Sequence, residues 1–211
     1  MQGLVELIII IQMKVLIDNG HGENTPGKRS PDGRLREYLY AREIAGYVEA
    51  ELKTQGIDVE RIVRENIDVP LGERCTRVNE WVRKLGSSNV LMVSIHCNAA
   101  GNGNWMQARG WSAYTTPGQT RSDTLASFLY HRAEMNFTGM KIRKDLSDGD
   151  PDIEANFYIL KDTKCAAVLT ENFFQDNKED VEFLLSQQGK ACIVKTHVEG
   201  IMDYIHSLKS K

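Results

Sequence analysis

The chain has 211 residues, 41% of them hydrophobic and 26% charged, with 26 Lys and Arg against 29 Asp and Glu for a net charge of −3. That supports one globular domain with a full core, or two small ones. The lack of a basic excess and of any aromatic-basic stripe argues against a nucleic-acid partner.

The first apolar run, Leu4–Ile11 (LVELIIII), contains Glu6 and has no basic segment before it. It lacks the anatomy of a secretory signal and falls short of the roughly 20 apolar residues of a membrane span. Residues 1–12 therefore read either as an extension upstream of a start at Met13 or as an added edge strand. The four cysteines, Cys75, Cys97, Cys165 and Cys192, form no C-x-x-C pair, and without a secretory signal no disulfide framework is expected. Cys75 and Cys192 are expected on apolar helix faces, and Cys97 is expected to point away from its neighbour His96.

Val15–Ile17 is a short apolar strand that runs into Asp18-Asn19-Gly20-His21-Gly22. An apolar run ending in Asn and Gly is a buried strand feeding a tight loop. The polar, Pro-bearing stretch Glu23–Gly33 is a surface loop with a turn at Pro31–Gly33. Leu35–Lys53 is a helix, with Ala41, Ile44, Ala45, Val48 and Leu52 at helical spacing and Gly56 as its stop. Ile57–Val63 is a strand. Leu71–Leu85 is a helix with Leu71, Cys75, Val78, Val82 and Leu85 on one face. Asn89–Asn98 (NVLMVSIHCN) holds a continuous apolar strand closed by His96. A Gly- and Asn-rich loop follows, then a strand at Trp111–Thr116 and a helix at Ser122–Asn136.

Asp145–Glu154 (DLSDGDPDIE) is an acidic solvated loop or cleft rim that lacks the ligand ladder of an EF-hand. Phe157–Leu160 and Val168–Thr170 read as strands, and Glu171 follows the second of them. Asp176-Asn177 caps a short helix through Leu185, and a last helix spans Ala191–Leu208. Strands alternating with helices predict an α/β layered fold.

Three chemistry-bearing residues, His21, His96 and Glu171, thus stand at the ends of apolar strands. If those strands are parallel neighbours, the three meet at one sheet edge, where ligand sites of open α/β sheets gather. A catalytic zinc takes three protein ligands and leaves a fourth position open. His21 and His96 supply two, and Glu37, in the first turn of the following helix, is the best candidate for the third. Glu43 lies too far along that helix, and His131, His197 and His206 are expected to be packed or surface residues. Glu171 remains as a general acid–base, or else it pairs with an arginine or caps the loop. Asp18 either orients a ligand by a hydrogen bond or serves the turn.

The segments VLIDNGHG, LREYLYAREIA, LGERCTRVNEW, VSIHCNA, GWSAYTT and AAVLTENFFQDN, in this order, resemble the zinc-dependent N-acetylmuramoyl-L-alanine amidases of type 3. The resemblance runs from about Lys14 to about Ile205. It implies a single layered domain over residues 13–211, with a mainly parallel, roughly six-stranded sheet and helices on both faces. It implies one Zn2+ on His21, Glu37 and His96, with Glu171 as the catalytic carboxylate. The implied substrate is peptidoglycan, cut between the lactyl group of N-acetylmuramic acid and L-alanine. Two rivals share these residues, a zinc carboxypeptidase acting on wall peptides and a wall-binding module without activity. The longer Glu23–Gly33 segment, and Asn172 where the family usually has Gly, depart from the pattern. With no secretory signal recognised and a wall substrate implied, a phage or prophage lysin released from the cytoplasm is the expected setting.

Overall fold

The computed structural model describes residues 13–101 and 103–209, so the expectation for residues 1–12 lies outside the described residues. The elements run β1 (Lys14–Asn19), α1 (Glu37–Thr54), β2 (Asp58–Arg61), α2 (Leu71–Leu85), β3 (Val90–Asn98), β4 (Ser112–Thr115), α3 (Arg121–Asn136), β5 (Ile153–Glu154), α4 (Tyr158–Lys161), β6 (Ala166–Phe174), α5 (Lys178–Leu185) and α6 (Gln187–Lys209). The strands form one six-stranded sheet in the order β2-β1-β3-β6-β4-β5. Among the described strands, only the β4–β6 pairing is antiparallel.

Alternation along the strands divides the core between the two faces of the sheet. Val15 and Ile17 of β1, with Leu91, Val93 and Ile95 of β3, pack against α1, α3, α5 and α6. Leu16, Met92, Ala167 and Leu169 face the other way, onto Cys75 and Val78 of α2 and Ile159 and Leu160 of α4. The helical spacing in α1 holds, since Ala41, Ile44, Ala45, Val48 and Leu52 are all buried. Asn177 caps α5 as expected, its side chain accepting from Asp180 N.

Several local expectations are corrected. Phe157–Leu160 is no strand: Tyr158–Lys161 is a single helical turn, α4. Four apolar residues fit either structure, and here only Ile159 and Leu160 are buried while Phe157 and Tyr158 stay exposed. Helix α1 begins at Glu37 rather than Leu35, because Leu35 is held in the preceding loop by reciprocal bonds to Ser30. In α2, Leu71 and Leu85 are exposed, so its buried stripe is shorter than the pattern suggests. Helix α6 starts at Gln187, four residues before Ala191. The acidic loop Asp145–Glu154 ends in the short strand β5, paired with β4. Glu171 does not follow β6 but lies within it, directly across from His96 of β3.

The connection β1–α1–β2 turns to one side of β1, and β2–α2–β3 returns to the other. That reversal puts a topological switch point at the carboxyl ends of β1 and β3, the usual ligand position in such sheets.

Candidate metal centre

The loop after β1 is shaped to bring its backbone close to both neighbouring segments. A Cβ on Gly20 would stand 2.3 Å from Cε1 and 2.4 Å from Nδ1 of His96, and one on Gly22 would stand 2.0 Å from Asp68 N. Only glycine leaves that space. Between them His21 takes a left-handed conformation, φ 56°, which is uncommon for a residue with a side chain. Its imidazole meets that of His96 edge to face, with centroids 5.0 Å apart.

Glu37 reaches this pair from the first turn of α1. Its Oε1 lies 3.4 Å from His21 Nε2 and 3.2 Å from His96 Nδ1. Ligand atoms on a tetrahedral ion with bonds of about 2.0–2.1 Å are roughly 3.3–3.4 Å apart, so these spacings fit a shared cation. Two further bonds hold the carboxylate: Cys97 N donates to Oε1 at 3.1 Å and Gln175 Nε2 donates to Oε2 at 3.2 Å. Glu37, His21 and His96 offer ligand atoms all within 4.8 Å of one another. Glu43 is turned away and pairs with Lys190. His131 and His206 are exposed. His197 is buried under the sheet, bonded to Thr170 and Ile193 O.

Charge in the cluster is strongly interdependent. Burial pushes the Glu37 carboxyl up, but bonds and charge from His21 and His96 outweigh it and hold the group well below the usual carboxylate range. Burial lowers His96, yet Glu37, and more weakly Glu171, raise it above its ordinary value. Burial pushes the Glu171 carboxyl up to about 8, with His96 pulling it down and Glu37 adding to the rise. Glu171 Oε2 is buried and accepts no hydrogen bond. Paired residues of parallel neighbours project to the same face, so Glu171 stands beside His96.

Asp18 bonds to neither histidine ring. Its Oδ1 accepts from Arg74 Nη1 at 2.7 Å and its Oδ2 from Ser94 Oγ at 2.5 Å. Through Arg74 it is tied to the turn that carries His21. That guanidinium, buried on α2, also donates to Asn19 O, His21 O, Val69 O and Asp68. It clamps the backbone that carries His21. Cys97, as expected, faces the core opposite His96.

Sequence reasoning missed Arg74 and Gln175, and it noted Asn172 only as a departure from the family pattern. Asn172 Nδ2 donates to His96 O at 3.0 Å, and its Oδ1 accepts from Trp111 Nε1 at 3.0 Å, so it ties β6 to β3 and to the residue preceding β4. The signals were its place next to Glu171 and an Asn where the resemblance expects Gly. For Arg74 the signal was an arginine beside Cys75 on an otherwise apolar face. Nothing local marked Gln175.

The chain is similar to known proteins over nearly its whole length. Residues 15–203 match the family model described as N-acetylmuramoyl-L-alanine amidase. Over 191 residues the chain is 29% identical to N-acetylmuramoyl-L-alanine amidase CwlM of Bacillus licheniformis, covering 90% of this chain and 67% of that protein. It is 26% identical over 201 residues to the endolysin of Bacillus phage SPP1, covering 93% and 67%. Its fold matches the crystal structure of N-acetylmuramoyl-L-alanine amidase from Clostridium difficile 630 with a TM-score of 0.78, at 24% identity, over 92% of this chain and 97% of that one. With the match running from β1 to α6, the chain belongs to the N-acetylmuramoyl-L-alanine amidase family of type 3.

Proposed function

We propose that the chain hydrolyses the amide between the lactyl group of N-acetylmuramic acid and L-alanine in peptidoglycan, using one zinc ion held by His21, Glu37 and His96. The observation that carries this reading is the convergence of both imidazoles on Glu37 Oε1, at 3.2 and 3.4 Å, beside an acid with an unpartnered oxygen. Two nitrogens and a carboxylate oxygen are a donor set that suits zinc. Bound there, zinc would lower the pKa of a water to about 7 and polarise the amide carbonyl.

The chain's own groups divide the remaining work. Cys97 N and Gln175 hold the Glu37 carboxylate so that one oxygen faces the histidines. Arg74 and Gly20 fix where the two imidazoles stand. A cation held on the neighbouring histidines would favour the ionised form of Glu171, and its Oε2 then accepts a proton from the attacking water as the new C–O bond forms. The C–N bond then breaks, and Glu171 returns the proton to the departing alanine nitrogen. The products are a free lactyl carboxylate on the glycan and a peptide with a new amino terminus.

Residues 13–211 would be the catalytic unit, with residues 1–12 as an extension outside it. The site of action would be the bacterial cell wall, as for a phage or prophage lysin, in keeping with the similarity to a phage endolysin. Among the described residues no helix is long and apolar enough to cross a membrane.

Digestion of purified muropeptides followed by mass spectrometry, with metal analysis of the same protein, tests the reading. Intact stem peptides released from glycan are expected, with about one zinc per chain. Cleavage inside the stem would identify a peptidase instead, and wall binding without new amines a module without activity.

A further inference from the structure

At the opposite end of the sheet a second group of carboxylates converges. Asp123 lies in the first turn of α3, and Asp150 and Asp152 lie just before β5. They offer ligand atoms all within 4.8 Å of one another. Strand β4 runs antiparallel to β6 with Ser112 opposite Glu171, and Thr115, the β4 residue at this cluster, lies three residues further on, roughly 10 Å away. The cluster is therefore separate from the histidine site.

These carboxylates have too few protons to share. Asp152 is 1% exposed, and its Oδ1 has no hydrogen-bond partner. Asp150 Oδ1 is likewise buried and unpartnered. Thr115 Oγ1 lies within bonding distance of both Asp152 Oδ2 and Asp123 Oδ1. A hydroxyl has one proton, so it serves only one of them at a time. The donors that remain are Gln119 Nε2 to Asp150 Oδ2 and the Thr120 backbone N–H to Asp123 Oδ2. Three of the six carboxylate oxygens are thus left without a donor among the described residues. Burial, together with Asp150 and Asp123, pushes the Asp152 carboxyl up to about 7 against the bond from Thr115. An unpaired carboxylate in such a place is costly.

We propose that Asp123, Asp150 and Asp152 hold a structural calcium ion, with Thr115 Oγ1 as a neutral oxygen ligand. The donors are all oxygen, the choice of hard cations rather than of zinc. Calcium takes 6–8 oxygens at about 2.3–2.6 Å in flexible geometry, so opposite ligands stand up to roughly 4.6–5.2 Å apart and the cluster is within its span. Magnesium demands a smaller octahedron and keeps most of its waters, which fits a cage of protein carboxylates less well. A cleft of about 570 Å³, bordered by Asp123, Asp150, Gln119 and His131, gives the ion a way in. The ion would join the start of α3, the end of β4 and the acidic loop.

The test uses the full chain, stripped with chelator and reloaded with zinc, then titrated with calcium chloride or magnesium chloride by calorimetry and thermal unfolding. Binding of about one calcium per chain is expected, with a rise in Tm of about 3 °C or more at saturation. Asp152→Asn should lose both the binding and the shift. Asp150→Asn, at a less buried position, should do the same if the first variant folds poorly. No calcium response at 10 mM, or an equal response in both variants, would overturn the site. An equal response to magnesium would overturn the choice of ion. A calcium-independent Tm together with a more stable Asp152→Asn at pH 8 would mean that the carboxylates share a proton instead.

Discussion

Gly20 lies flat against the ring of His96: a Cβ at residue 20 would come within 2.3–2.8 Å of three of its imidazole atoms. The loop that carries one proposed ligand is thus also the wall that positions the other. Gly20→Ala should leave the fold intact, because the clash is with one side chain, but should tilt His96 away from Glu37. Displacing a metal-orienting contact typically costs about 10–100-fold in metal affinity. Zinc affinity measured by competition with a chromophoric chelator checks this, and unchanged affinity would mean that the ring has room to move.

Glu37→Ala should lose zinc and Glu43→Ala should keep it. Six residues of helix separate the two by about 9 Å along the axis, and Glu43 is engaged with Lys190 at 2.8 Å. Metal content per chain is the readout. Equal loss in both variants would place the third ligand elsewhere.

Glu171→Gln should bind zinc normally and hydrolyse muropeptides about 10²–10⁴-fold more slowly, the usual loss for a general acid–base. The expectation rests on its place across from His96 and on its unpartnered Oε2. Zinc loss in this variant would recast Glu171 as a ligand. Near-normal turnover with zinc bound would leave the proton transfer without a base.

Acid should destabilise the fold through His197. Burial lowers its pKa from 6.5 to about 4, against a smaller opposing effect of its bond to Ile193 O. Between pH 6.5 and 4 the unfolded chain therefore binds more protons than the native one. The stabilisation is fully present above pH 6.5 and is lost as pH falls toward 4, by about 3 kcal/mol. In His197→Gln the Tm should vary less with pH across this window, whatever its absolute value. An unchanged slope would assign the acid sensitivity to other groups.

A chain that begins at Met13 should fold with the same Tm and keep its hydrolytic rate. Met13 is buried against the larger core and directly precedes β1, and residues 1–12 contain none of the proposed site residues. An insoluble or inactive truncated chain would make that segment part of the domain.

Local pattern alone determined a good part of this protein. Apolar runs that stop at Asp18 and His96 mark strands that end within two residues, at Asn19 and Asn98. Helical spacing from Ala41 to Leu52 marks the buried face of α1. Together they place His21, His96 and Glu37 at strand ends and a helix's first turn, which are read within a few neighbouring residues, while the parallel pairing of β1 with β3 is what brings them to one edge. Phe157–Leu160 failed for the converse reason: four apolar residues carry no period, and only burial of Ile159 and Leu160 against α2 decides their conformation.

Tertiary structure alone decided what depends on register and crossing. Glu171 faces His96 because β3 and β6 are paired residue for residue. Arg74 clamps the His21 loop from a helix more than 50 residues away. Asp123 meets Asp150 and Asp152 only because β5 pairs with β4 beside the start of α3. Periodicity shows which face an element buries, but which residues meet across two elements is set by the packing of the whole sheet.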